Sequence, residues 1–224
     1  GAQPPAGRHR AGQAAAAVHP LLDIKGKDRE SRDSDAHPRS KSIVVMFDHT
    51  GSMGQAPVIM QQKLPGLMAM LVGKNYCEHP QVLFGAIGDC FDTSVAPLQV
   101  GQFESGNEMD DAFAAMLLER LGGGTNQESY ELAMYYFARH VKMDCLEKRG
   151  EKGYMFIIGD EAAYFVAKRD KIESPLRESS PSHTLFCDEG VLLPKFFLQM
   201  QMFSIVALIL FQSISLPHRV LFFQ

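Results

Sequence analysis

Residues 44–54 read VVMFDHTGSMG, and their reading decides the fold. Val44, Val45, Met46 and Phe47 form an unbroken apolar run, as in a strand covered on both faces. The run stops at Asp48, and two hydroxyls and two glycines follow within six residues. A strand that ends this way presents oxygen atoms at its tip, on a turn that Gly51 and Gly54 allow to bend.

Two further runs repeat the pattern. QVLFGAIGD (81–89) and GYMFIIGD (153–160) are buried-type strands that also end in an aspartate, Asp89 and Asp160. Helical patterns lie between the strands. PVIMQQKLPGLMAMLVGK (57–74) is one, kinked or split at Pro65-Gly66, and NEMDDAFAAMLLERL (107–121) is the second. QESYELAMYYFARHVKMDCLEK (127–148) reads as one long amphipathic helix. FDTSVAPLQVG (91–101) reads as a short edge strand, since Pro97 bars a central place. Strands alternating with helices imply right-handed crossovers and a Rossmann-like, doubly wound, mostly parallel α/β sheet. Such sheets bind ligands at the carboxyl ends of their strands, where these three acids stand.

Composition sets the limits. The chain has 224 residues, 46% hydrophobic and 21% charged, with a net charge of −4, so no broad basic surface points to nucleic acid. Cys77, Cys90, Cys145 and Cys187 are too scattered for a zinc site and read as reduced thiols in a cytoplasmic setting. Residues 1–41 carry little apolar periodicity and read as a disordered arm before a domain over 42–168. Residues 169–190 read as loop. Residues 191–224 form an apolar tail. Its uncharged part, 196–217, has three open readings: last strand of the sheet, membrane anchor, or an end that does not fold.

DHTGSMG resembles the DxSxS signature of von Willebrand factor type A domains, with Thr50 where the middle serine stands. The resemblance spans residues 41–168. It implies a metal-ion-dependent adhesion site in which Thr125 of GGGTN is the distant threonine and Asp160 of FIIGDE the distant aspartate. Gly159 precedes that acid, whereas the family carries its glycine after it. FGAIGD and QESYELA are similar to bacterial-type, intracellular members. The metal set so implied is Asp48, Thr50, Ser52, Thr125 and Asp160. Hydroxyls and carboxylates form a hard-oxygen set, suited to Mg2+ or Mn2+. The family role is protein interaction without a chemical step: the metal accepts an acidic group of a partner protein. Intracellular members commonly work alongside ATPases of the AAA class.

Plainer readings stand beside this one. Asp48, Thr50 and Ser52 are favoured helix-capping residues, Thr125 with Glu128 forms a T-x-x-E capping box, and Asp160 suits an ordinary turn. His49 reads as a solvent-facing loop residue. A different function class is also open. DHTGS resembles the DKTGT stretch of P-type ATPases and, more loosely, the haloacid dehalogenase motif DxDxT. In that reading Asp48 is a phosphoryl-accepting nucleophile and Asp160 holds Mg2+. Thr50 stands where soluble phosphatases carry a second acid, and Lys142, Lys148 and Lys152 are the candidate phosphate-binding lysines. A metal-free α/β domain with a decayed site is the third reading.

Overall fold

The computed structural model describes residues 18–64, 66–91, 96–106, 108–119 and 127–164, with the strand Met200–Val206. Residues 1–17, Thr125, the 169–190 loop and the rest of the tail lie outside the described residues.

The three apolar runs are strands β2 (Lys41–Asp48), β3 (Pro80–Ile87) and β7 (Gly153–Gly159). β2 lies between the other two and pairs in parallel with both, Val45 facing Phe84 on one side and Phe156 on the other. β4 (Leu98–Val100) adds an antiparallel edge beside β3, as Pro97 foretells. β9 (Met200–Val206) adds a parallel strand beside β7, so this part of the tail is an edge strand of the sheet among the described residues. The order among the described strands is β4-β3-β2-β7-β9. Among the described residues no helix is long and apolar enough to cross a membrane.

Period-two alternation along β2 supplies both faces of the sheet. Ile43, Val45 and Phe47 pack with α1 (Ala56–Lys63), α2 (Gly66–Gly73) and α3 (Glu108–Ala114). Phe113 of α3 closes that layer, its ring 4.6 Å from Phe84 and 5.6 Å from Phe47. Val44 and Met46 point the other way, to α4 (Tyr130–His140), whose Leu132, Tyr136 and Phe137 are fully buried. The expected split of the first helix falls between α1 and α2. Among its described residues, the second helical pattern forms the seven residues of α3.

Two expectations need correction. The long helix over 127–148 is broken. β5 (Gln127–Glu128), paired in parallel with β8 (Ala162–Ala163), precedes α4, and β6 (Val141–Met143) separates α4 from α5 (Asp144–Arg149). Helical spacing continues through the break, but a partner strand from far away captures it. β6 pairs in parallel with β1 (Arg29–Ser31), a contact that no local window contains.

That partner lies in the segment read as a disordered arm, and from Val18 onward this segment is folded. Leu22 and Ile24 are buried in the core. Arg29 is buried too, its guanidinium donating to the carbonyls of Val100 (2.8 Å), Gly101 (2.8 Å) and Asp23 (3.1 Å). A buried guanidinium needs such saturation by acceptors. Asp33 accepts from the Ser40 hydroxyl (2.7 Å) and Arg149 (2.8 Å), and the Arg149 guanidinium holds its carboxyl well below the usual carboxylate range. Asp144 accepts from Arg32 (2.8 Å), the Asp33 N–H (2.9 Å) and Lys148 (2.7 Å). Burial alone would raise its pKa, but Lys148, the Asp33 N–H and Arg32 outweigh burial and bring it down to about 2. Low hydrophobicity misled the reading: the arm is held by charged hydrogen bonds more than by apolar periodicity.

Asp144→Ala should therefore cost about 2–3 kcal/mol, measured as a lower urea midpoint. Both acids have depressed pKa values. Their contribution is whole above about pH 4 and is lost as pH falls through about 2, which acid unfolding of wild type against Asp144→Ala will register.

Candidate metal centre

β2 and β7 run parallel with Phe47 level with Ile158, so Asp48 and Asp160 leave the sheet at the same edge. After Asp48 the chain turns at once. Thr50 is extended, residues Gly51–Met53 form one 3-10 turn, and the Gly54 N–H closes it on the Gly51 carbonyl at 3.1 Å. Gly54 has φ +55°, the left-handed half of backbone space that glycine enters without strain. Thr50 and Ser52 are thereby placed on one side of the turn.

Four sequence-predicted residues meet there. Asp48 Oδ1 accepts from the Thr50 N–H and the Thr50 hydroxyl, each at 2.7 Å. Thr50 Oγ1 lies 3.2 Å from Ser52 Oγ, and Ser52 Oγ donates to Asp160 Oδ1 at 3.0 Å. Exposure rises along this series: Asp48 and Thr50 are buried, Asp160 is half-buried and Ser52 is exposed. The site thus has a floor and an open mouth. Thr125 lies outside the described residues, so the fifth predicted member is not placed.

Counting protons shows what the cluster wants. Each hydroxyl has one. With both acids ionised, Thr50 gives its proton to Asp48 and Ser52 gives its to Asp160. None is left for the 3.2 Å contact between the two hydroxyl oxygens, which face each other with lone pairs. Asp48 Oδ2 is buried with no hydrogen-bond partner. Burial, and after it the charge of Asp160, pushes the Asp48 carboxyl up to about 6 against the two Thr50 hydrogen bonds. Lone pairs turned together beside a desolvated carboxylate fit a small hard cation. Among the described residues no three His, Cys, Asp or Glu side chains converge as a metal cluster. The donors here are instead two carboxylates and two hydroxyls.

Sequence reading missed the floor. In sequence Glu128 is only half of a capping box, yet α4 begins at Tyr130 with Ser129 as its N-cap, so Glu128 is no capping residue. It is 1% exposed, its Oε2 has no partner, and burial followed by the charges of Asp48, Asp89 and Asp160 raises its carboxyl to about 8. Tyr130 packs its phenol where a side chain at residue 159 would go, which accounts for glycine directly before Asp160. Asp89 serves another purpose. It accepts from the Tyr164 hydroxyl at 3.0 and 3.1 Å and from the Phe91 N–H at 2.8 Å, tying the stretch after Asp160 to the end of β3. His49 is buried rather than solvent-facing, with Nε2 3.2 Å from the Ala96 carbonyl, and burial lowers its pKa. The strand-end position of Asp89 is visible in sequence, whereas the inward turn of Glu128 and His49 carries no local signal.

No family model matches the chain, and no curated protein sequence does. Among solved structures it is similar to the open conformation of the pilus adhesin SpaC from Lactobacillus rhamnosus GG. Identity is 12%, over 60% of this chain and 15% of that one, with a TM-score of 0.40. It is also similar to proximal thread matrix protein 1 from the mussel byssus with a zinc-occupied MIDAS motif. Here identity is 11%, over 75% of this chain and 38% of that one, with a TM-score of 0.44. The chain spans less than half the length of either protein. The chemistry of the Asp48 turn stands on its own atoms.

In metal-free buffer at neutral pH, Asp48→Asn should raise stability by about 1–3 kcal/mol, because a buried ionised carboxylate is removed. The raised pKa sets the sign. Below about pH 4 Asp48 is protonated folded and unfolded, and the mutation gains nothing; the gain grows with pH and is complete above about 6. Urea unfolding across that range checks it.

Proposed function

We propose that this chain is a metal-dependent protein-interaction module resembling von Willebrand type A domains. Asp48, Thr50, Ser52 and Asp160 hold Mg2+ or Mn2+, and Thr125 is the remaining donor that the resemblance supplies. The observation that carries this reading is the continuous oxygen series from buried Asp48 to exposed Ser52 and half-buried Asp160, joined across two strand ends by the 3.0 Å Ser52–Asp160 hydrogen bond. A bound divalent ion would supply a positive, oxygen-seeking point at the mouth. Hydroxyl donors bring no charge of their own, so the ion keeps attraction for a carboxylate presented by a partner protein. An AAA-class ATPase as that partner rests on family resemblance alone.

The phosphoryl-transfer reading finds less support. Position 50 offers a hydroxyl hydrogen-bonded to Asp48 where a general acid is needed. Lys142 pairs with Asp28 at 3.0 Å, and Lys148 with Asp33 at 3.5 Å and with Asp144 at 2.7 Å, so both serve to dock the N-terminal segment.

Mg2+ or Mn2+ at about a hundred times its dissociation constant should stabilise wild type by about 2.7 kcal/mol, a melting-temperature rise of roughly 5–10 °C. Asp48→Ala should abolish the rise, and an equal rise in the variant would refute the site. A small aryl phosphate incubated with Mg2+ should remain intact; turnover that depends on Asp48 would favour the phosphatase reading instead.

A further inference from the structure

Glu128 has no place in the ligand set above, yet the fold holds it firmly beneath the Asp48 turn. β5 pairs with β8, and Glu128 is level with Ala163, just past Asp160. The Ser129 N–H donates to the Gly88 carbonyl at 3.4 Å, at the end of β3. Tyr130 packs against Gly159, at the end of β7. The backbone of Glu128 is thereby pinned among the strand ends that carry Asp89 and Asp160. Its side chain is 1% exposed, and Oε2 has no hydrogen-bond partner. A carboxyl kept only to fasten a fold is paired, as Asp33 is with Arg149 and Asp144 with Arg32. The charges that act most on Glu128 are negative, those of Asp48, Asp89 and Asp160, and the Thr50 hydroxyl is the group that eases them.

That hydroxyl stands between two acids. Asp48 Oδ1 accepts from both the Thr50 N–H and the Thr50 O–H, each at 2.7 Å. A carboxylate oxygen has about two lone-pair sites, so Oδ1 is full. A cation shares this oxygen only if the Thr50 O–H turns to another acceptor. Ser52 Oγ, at 3.2 Å, is a poor choice, because its lone pairs are wanted by the same ion. Glu128 is the other acceptor beside Thr50.

We infer that Glu128 is a positioning residue of the cation site, which accepts the Thr50 O–H and so frees Asp48 Oδ1 and turns the Thr50 lone pairs toward the ion. Glu128 itself ligates nothing, in keeping with the absence of a three-acid cluster among the described residues. Ionised or protonated, a carboxyl keeps an accepting oxygen, so the role does not depend on its charge. The inference rests on the metal reading above.

Mn2+ binding to the full chain, followed by calorimetry and by the electron paramagnetic resonance of the free ion, tests it. Glu128→Gln should bind nearly as tightly as wild type, because an amide oxygen accepts the same hydrogen bond. Glu128→Met, of similar length and without an acceptor, should bind at least about tenfold more weakly. Without metal its urea midpoint should stay at or above that of wild type, since an unpartnered buried polar group gives way to an apolar one. Wild-type affinity in Glu128→Met would overturn the inference. So would a loss in Glu128→Gln as large as in Glu128→Met, or a metal-free midpoint that falls together with affinity in Glu128→Met. Failure of the metal reading looks different: wild type binds no Mn2+, or Asp48→Ala binds it equally, and this inference then falls with that reading.

Discussion

Parallel pairing of β2 with both β3 and β7 is the constraint on which the rest depends. Parallel strands end at a common edge, so residues far apart in sequence are delivered to one line without any contact between their own loops. Asp48 and Asp160 are 112 positions apart, yet one serine hydroxyl joins the turn of the first to the carboxylate of the second. If β7 slipped by one residue, every side chain on it would change face, and Asp160 would leave the Ser52 hydroxyl.

That delivery sets up an electrostatic opposition. Asp48 and Glu128 are desolvated, the charge of Asp48 makes Glu128 harder to ionise, and Asp160 adds its charge to both. Ionising these buried acids costs stability, and this cost is what supports the proposed cation site. The same cluster is firmly built. Tyr130 fills the space above Gly159, and the Tyr164–Asp89 hydrogen bonds fix the stretch after Asp160. Rigidity of this kind holds oxygens at fixed separations, which a small octahedral cation requires.

The opposite end of the charge spectrum secures the N-terminal segment. Arg29 is saturated by backbone carbonyls, and Asp33 and Asp144 are saturated by Arg32, Lys148, Arg149 and backbone donors. These groups are satisfied where Asp48 and Glu128 are not. The contrast within one molecule separates charge that fastens the fold from buried carboxylate oxygens with no hydrogen-bond partner.

By itself the amino-acid sequence determined the strands and their order of use. The apolar runs before Asp48, Asp89 and Asp160, the break at residues 65–66 and the edge position beside Pro97 are local patterns, each set by the periodicity or backbone limits of a few neighbours. It also determined which oxygens stand on the Asp48 turn. Only the tertiary structure decided that residues 141–143 abandon a helical pattern to pair with residues 29–31, that the arm from Val18 is folded, and that Glu128 and His49 turn inward. Those outcomes depend on contacts between segments about 50 to more than 100 residues apart, and no window of sequence holds both partners.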